Sequence, residues 1–160
     1  MRSHSYAVDV QWTGDRGEGT ATYRGYGREN TVRAAGKPDL AGSADRTFHG
    51  DRDRWNPEEL LLAALSQCHL LSFLHVCVKH GVVVTGYRDA ATGEMTETGD
   101  GGGRFTRVDL HPVVELADEA QRALADGLHA EASRLCFIAN SVNFPVHHEP
   151  VAPEQARAAP

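Results

Sequence analysis

Three cysteines are the most reactive side chains of this chain: Cys68 and Cys77 in one apolar stretch, and Cys136 far downstream. A thiolate attacks peroxides and disulfides, whereas a buried thiol in apolar surroundings acts as a small hydrophobic side chain. On a helix Cys77 would lie half a turn out of phase with Cys68, so those two should face apart. Cys136 could meet Cys68 if their helices pack together. Spacing alone leaves both interpretations open, core cysteines or a reversible dithiol.

Nine histidines raise the possibility of a metal site, but their spacing does not support one. His69 and His75 are six residues apart and His147 is adjacent to His148, whereas an i, i+4 pair would put two imidazoles on one helix face. No Cys-x-x-Cys pair accompanies them, so we expect no metal. A cysteine hydrolase is also disfavoured, because His69 directly follows Cys68 and therefore lies on another face of the helix.

The stretch "NPEELLLAALSQCHLLSFLHVC", residues 56–77, predicts the helix that positions Cys68. Asn56 is a good N-cap, Pro57 suits the first helical position, and Glu59 completes a capping box. Glu59 therefore has a structural explanation, while Glu58 is not used by the cap. The helix is apolar nearly all round, which is typical of a helix buried on most sides.

Period-two patterns predict strands on both sides of this helix. In "SYAVDVQW" the apolar residues from Tyr6 to Trp12 share one side, and "TGDRGEGTATYRGY" reads as a turn with a return strand, giving an N-terminal hairpin. Residues 31–55 predict one more short strand and a long loop. Further strands are predicted in "GVVVTGYRD", "GEMTET", "RFTRVDLHPVVEL" and "SVNFPVHHEPV", with Pro112 at an edge or a bulge.

A second helix is predicted from about Asp118 to Leu135, with Leu124, Leu128 and Leu135 on its buried stripe. Strands and helices do not alternate regularly, so the fold class is α+β with antiparallel sheets covered by helices. We expect a single domain over residues 1–152 and a loose C-terminal tail over 153–160.

Composition narrows the classes of partner. Hydrophobic residues make up 41% and charged residues 24%, as in ordinary globular domains, and the net charge of −6 argues against a nucleic-acid partner. The N-terminus lacks a signal-like apolar segment, and no run reaches the roughly 18 uninterrupted apolar residues of a membrane span. We therefore expect a cytoplasmic protein with no membrane partner, whose cysteines are kept reduced rather than tied in structural disulfides.

Two motifs carry a resemblance to a known family. "NPEELLLAALSQC" and the distant "CFIANSV" resemble the OsmC/Ohr family, the osmotically inducible protein C and organic hydroperoxide resistance proteins. The order of strands and helices is consistent with that family from about Tyr6 to Val151. The resemblance implies an OsmC-like fold with a long central apolar helix, a second helix and an intertwined homodimer.

The resemblance also implies thiol-dependent peroxidase activity. Matched by position, Cys68 corresponds to the peroxidatic cysteine, Cys136 to the resolving cysteine, and Glu58 to the active-site glutamate. The sulfenic acid formed at Cys68 would be captured by Cys136 as a disulfide, which an external dithiol must then reduce. The resemblance suggests a lipoylated protein as reductant, and no cofactor is expected.

The family's arginine, which stabilises the reactive thiolate, is harder to place. Arg16 in "GDRGEGT" falls at the matching point of the first hairpin and is our prediction, while Arg46 and Arg54 in the long loop are alternatives.

Helix geometry then predicts where the active site lies. Ten residues of continuous helix separate Glu58 from Cys68 by about 15 Å of rise and roughly 80° of rotation, so they cannot cooperate within one helix. If Glu58 serves Cys68, a partner subunit must supply one of them, which places the active site at the interface of a two-fold homodimer.

Two features set this chain apart from the hydroperoxide branch of the family. In the hydroperoxide branch a proline usually follows the resolving cysteine, whereas here Phe137 follows Cys136. Cys77 is an additional cysteine. We therefore expect a divergent branch. The apolar side chains around the cysteines favour an alkyl or lipid hydroperoxide over hydrogen peroxide. The main alternative is a small-molecule or lipid binding module on the same fold, although a pure binder would not need both Cys68 and Cys136.

Overall fold

A computed structural model describes residues 2–153 of the chain. It divides into two compact units, the first ending at Leu61 and the second beginning at Leu62, and each is described here by itself. The predicted loose tail lies outside the described residues, apart from Pro153. The single domain stays a prediction.

The first unit is built on a three-stranded antiparallel sheet. Its strands are β1 (Asp9–Trp12), β2 (Asn30–Arg33) and β3 (Leu40–Gly42), in that order, followed by a 3-10 turn at Arg46–Phe48. The predicted return strand is wrong, because residues 13–29 form a loop and β1 pairs with β2 instead. Gly17 and Gly19 adopt positive φ there, and their N–H groups donate to one carboxylate oxygen of Asp15 at 2.8 and 2.9 Å.

The apolar side chains of the N-terminal segment remain open to solvent. Tyr6 is 91% exposed, Val8 69% and Val10 61%, although their period-two spacing predicts a buried face. A strand with an uncovered apolar face is available to pack against another surface.

Helix α1 (Pro57–Lys79) begins as predicted. The N–H of Glu59 donates to Oδ1 of Asn56 at 2.8 Å, and the N–H of Asn56 donates back to Oε2 of Glu59 at 3.5 Å, which confirms the capping box. The buried residues of α1 follow helical spacing along one stripe. They are Leu65, His69, Phe73, Val76 and Cys77.

The other side of α1 is only partly covered. Leu71 is 60% exposed and Val78 is 78% exposed. By length and composition alone α1 could cross a membrane, with a mean hydropathy of 1.7, but the core helix of a soluble protein meets the same criterion. One stripe of α1 is packed into the core of the second unit.

The described part of the second unit, up to residue 153, contains five strands in two sheets. They are β4 (Val84–Asp89), β5 (Thr92–Glu97), β6 (Gly103–Leu110), β7 (Pro112–Leu116) and β8 (Val146–His148). β4 and β7 pair antiparallel, β5 and β6 pair antiparallel, and β8 joins β6 in parallel. The long strand predicted in "RFTRVDLHPVVEL" is split between β6 and β7, so the chain changes sheets at Pro112, where we expected an edge or a bulge.

Helix α2 (Arg122–Leu135) ends where the sequence predicts, but it begins later. A 3-10 turn at Glu119–Gln121 precedes it, capped by Asp118, whose carboxylate accepts the N–H of Ala120 at 3.0 Å. Leu124 is half exposed, so its assignment to the buried stripe is wrong.

The core of the second unit lies between the two helices and the β4–β7 sheet. Its buried members are Phe73, Val76, Cys77, Val82, Val114, Leu116, Ala125, Leu128 and Ala132. The α+β class with antiparallel sheets is therefore confirmed, with one parallel strand pair added.

Candidate active site

Cys68 and Cys136 lie together in the second unit. Cys68 projects from the middle of α1 and is partly exposed, while Cys136 is the C-cap residue of α2 and is 1% exposed. The Cys68 thiol lies close enough to Cys136 to raise the pKa of Cys136, and neither cysteine is joined in a disulfide. The two helices therefore bring Cys68 and Cys136 together, which the sequence predicts only if these helices pack against each other.

The turn after α2 supplies backbone donors to both sulfurs. The N–H of Ile138 points at Sγ of Cys68 at 3.5 Å, and the N–H of Ala139 points at Sγ of Cys136 at 3.4 Å. The amide of Asn140 fixes this turn by donating to the carbonyl oxygens of Arg134 at 3.0 Å and Cys136 at 2.9 Å. The turn therefore places one backbone N–H donor against each of the two sulfurs.

The two thiols differ in their environment. Burial and the neighbouring Cys68 thiol together raise the pKa of Cys136 to about 11, against the opposing effect of the N–H of Ala139. Cys136 is therefore a protonated thiol at neutral pH. An oxidant arriving from solvent meets the more exposed Cys68 first.

Cys77 belongs to the apolar core rather than to this site. It is buried among Phe73, Val76 and Val82, and burial raises its pKa to about 11. Because its surroundings are apolar, Cys77 stays protonated and unreactive at neutral pH.

Glu58 lies in the first unit, where it lines a pocket of about 300 Å³. Its Oε2 is buried and has no hydrogen-bond partner among residues 2–153. The pocket is lined by Arg28, Asn30, Ser43, Ala44, Asp45, Phe48, Pro57 and Glu58. A buried carboxylate oxygen without a partner is an acceptor for a donor that enters this pocket.

Arg16 does not line that pocket. Its side chain is 62% exposed and lies 3.8 Å from Glu29, at the rim of a second pocket of about 260 Å³ that also contains Arg24, Tyr26, Arg28 and His49. Of the alternatives, Arg54 pairs with Asp51 at 3.9 Å, and Arg46 lies in the 3-10 turn.

Arg28 lines both pockets, and the sequence analysis missed it. Its guanidinium donates to the carbonyl oxygens of Tyr26 and Tyr23, both at 2.6 Å, and lies over their rings at 4.1 and 4.7 Å from the centroids. Such contacts hold a guanidinium in one orientation. The signal was the tyrosine-arginine pattern in "TYRGYGR".

Metal ligation finds no support among residues 2–153, since no group of three histidine, cysteine or acidic side chains there could hold an ion. The described side chains therefore do not supply a donor set for a metal.

Comparison with known proteins places these features in context. A model of the OsmC-like protein family matches residues 49–150, which include Glu58, Cys68 and Cys136 but neither Arg16 nor Arg28. No curated protein matches the chain.

Solved structures with this fold cover nearly the whole chain. An OsmC-like protein of unknown function from Vibrio cholerae is 28% identical, with a TM-score of 0.84 over 93% of this chain and 100% of its own. An organic hydroperoxide resistance protein from Legionella pneumophila is 16% identical, with a TM-score of 0.68 over 95% and 98%. One from Elizabethkingia anophelis is 17% identical, with a TM-score of 0.64 over 94% and 98%.

Proposed function

This chain belongs to the OsmC-like protein family, and from that premise we propose that it is a thiol-dependent peroxidase that reduces organic hydroperoxides. The observation that carries the proposal is the contact between a partly exposed Cys68 and a buried, protonated Cys136. The names of the relatives from Legionella pneumophila and Elizabethkingia anophelis support the substrate class.

The proposed reaction has three steps. The thiolate of Cys68 attacks one peroxide oxygen, the O–O bond breaks, and the leaving alkoxide takes up a proton, giving a sulfenic acid and an alcohol. The thiol of Cys136 then attacks that sulfur, forming the disulfide and releasing water. An external dithiol restores both thiols and becomes a disulfide itself. A lipoylated protein in the cytoplasm is the reductant that the family resemblance suggests.

Apolar surroundings support an organic substrate. Phe137 is 77% exposed and directly follows Cys136, and the neighbouring Ile138 is also exposed and donates its N–H to Cys68. An alkyl or lipid hydroperoxide would bury apolar surface against these side chains, whereas hydrogen peroxide would not. We therefore propose a preference for organic hydroperoxides.

The carboxylate of Glu58 and a guanidinium of the first unit would activate Cys68. We propose a homodimer in which Glu58 of one subunit serves Cys68 of the other. The exposed apolar side chains of Val8, Val10 and Val78 support an association between subunits.

The choice between two arginines is testable. Replacing Arg28 by glutamine should slow oxidation of Cys68 by about 10–100-fold, the worth of one charge-assisted hydrogen bond, because Arg28 shares a pocket with Glu58. Arg16→Gln is the matched variant. Stopped-flow experiments with cumene hydroperoxide measure the rate of Cys68 oxidation in both variants. A larger decrease in Arg16→Gln than in Arg28→Gln would mean that Arg16 activates the thiolate.

The proposed function is tested by mapping where oxidation occurs. Reduced protein treated with one equivalent of cumene hydroperoxide should lose two hydrogens, with a disulfide mapped to Cys68 and Cys136 by peptide mass spectrometry. Cys136→Ser should instead accumulate sulfenic and higher acids at Cys68. Hydrogen peroxide at the same concentration should oxidise Cys68 more slowly.

Cys77→Ala is the matched control, since Cys77 is buried with a raised pKa like Cys136 but is packed in the apolar core. It should form the same disulfide at the same rate. A folded protein whose Cys68 stays reduced under these conditions would contradict the peroxidase and favour a binding module.

A further inference from the structure

Three histidines form a cluster inside the second unit. His69 of α1 is 2% exposed and His129 of α2 is 1% exposed, and the ring of His148 at the end of β8 stacks on both. Phe73 also stacks on His129, with 4.0 Å between ring centroids. These contacts are separate from the cysteine pair, and the peroxidase chemistry makes no use of them.

A hydrogen bond joins two members of the cluster. Nε2 of His69 and Nδ1 of His129 are 2.9 Å apart, so one nitrogen donates and the other accepts. Burial lowers the pKa of both imidazoles, to about 4 for His69 and about 3 for His129, so both rings are neutral at neutral pH. Nε2 of His129 is buried and has no hydrogen-bond partner in the described part of the chain.

This bond links the same two helices that carry the thiols. His69 is the residue after Cys68 on α1. His129 precedes Cys136 by about two helical turns and so lies on nearly the same face of α2. The turn that donates to both sulfurs leads into β8, which ends at His148. All three segments of the thiol site therefore meet at the histidine cluster.

The core contacts around this bond are apolar and do not require particular atoms of α1 and α2 to meet. Around the bond the core is apolar, with Val76 on α1 facing a set that includes Ala125, Leu128 and Ala132 on α2. Apolar packing tolerates small shifts, whereas a hydrogen bond requires two particular atoms to meet. A disulfide also has strict geometry, with Cα atoms usually about 4.4–6.8 Å apart.

We infer that His129 is a positioning residue for disulfide formation: its bond to His69 sets the register of α2 against α1 and holds Cys136 against Cys68. The inference rests on the proposed peroxidase function. It concerns the second step alone, since attack of Cys68 on the peroxide does not involve Cys136.

The test separates the two steps. In His129→Leu, which keeps the bulk and loses the bond, oxidation of Cys68 should proceed at the wild-type rate, while capture of the sulfenic acid by Cys136 should slow by about tenfold. His129→Asn puts a polar atom near the position of Nδ1 and should restore most of the rate. Timed quenching with dimedone followed by mass spectrometry measures the lifetime of the sulfenic acid.

A matched control distinguishes positioning from general destabilisation. Val76→Ala removes buried side-chain volume from the same interface, so it should lower the melting temperature and leave the capture rate unchanged. Equal capture rates in wild type and His129→Leu would overturn the inference, as would an equally slow His129→Asn.

If His129→Leu does not fold, the other end of the bond provides the same comparison. His69→Leu loses the bond and His69→Gln retains a polar atom near Nε2. If neither leucine variant folds, the two histidines are needed for folding itself, and the inference is overturned. If Cys136→Ser yields no sulfenic acid at Cys68, the peroxidase proposal itself fails, which is a distinct result.

Discussion

Heterodimers that combine a Glu58→Gln subunit with a Cys68→Ser subunit should recover about half of the wild-type peroxidase activity per dimer. Cys68→Ser alone should lose roughly 10³-fold or more in activity, because it lacks the nucleophile. Glu58→Gln alone should lose about 100-fold if its carboxylate orients the activating guanidinium. One intact site would be rebuilt in each heterodimer, from Cys68 of one subunit and Glu58 of the other.

Co-expression with two different affinity tags isolates the heterodimer, and turnover of cumene hydroperoxide with a dithiol reductant measures its activity. Glu59→Gln is the matched control, because that neighbouring carboxylate serves the helix cap and glutamine can keep the capping box. It should be nearly as active as wild type. Heterodimer activity no higher than that of Glu58→Gln alone would mean that Glu58 does not act across an interface.

Mild acid should destabilise the protein through its buried histidines. Burial holds the pKa of His69 at about 4 and of His129 at about 3, against 6.5 in an unfolded chain. The neighbouring imidazoles add to both shifts, while Asp89 opposes that of His69. A depressed folded-state pKa gives stability that is complete above about pH 6.5 and is lost as the pH falls towards 4.

The expected loss in the free energy of unfolding is roughly 3–4 kcal/mol between about pH 6.5 and 5. Acidic groups with lowered pKa, such as Glu119 and Glu131, lose their contributions only at lower pH. Urea unfolding at a series of pH values measures the slope. His69→Gln with His129→Asn should flatten it, and His75→Gln, an exposed histidine on α1, should leave it unchanged. A free energy of unfolding that does not change with pH in this window, in the wild-type protein, would contradict the prediction that the buried imidazoles are neutral.

The helix boundaries that depend on neighbouring residues were predicted best. The capping box of Asn56 and the end of α2 at Leu135 depend on neighbouring residues, so the sequence contains what is needed to find them. Leu124 was misassigned because the buried stripe of α2 is set by what packs on that helix, including Phe73 of α1, whose ring stacks on His129 of α2. The return strand after β1 was misplaced because alternating residues suggested pairing in a glycine-rich loop.

The candidate site was only partly predictable. Helical phase correctly separated Cys77 from Cys68, but the contact of Cys68 with Cys136 depends on how two helices pack, which their spacing does not contain. The bond from His69 to His129 spans 60 residues of sequence and left no local pattern. Arg28 was overlooked because its orientation comes from carbonyl oxygens and rings that only the folded loop brings together.

The burial of Cys77 limits how the oxidised chain can be cross-linked. Three cysteines could pair in three ways, and scrambling among them would yield a mixture of covalent isomers. With Cys77 sequestered among apolar side chains and Cys68 already against Cys136, only one of these pairings is accessible without unfolding. Oxidation should therefore give one defined covalent isomer, and the chain could cycle repeatedly without an isomerase to correct it.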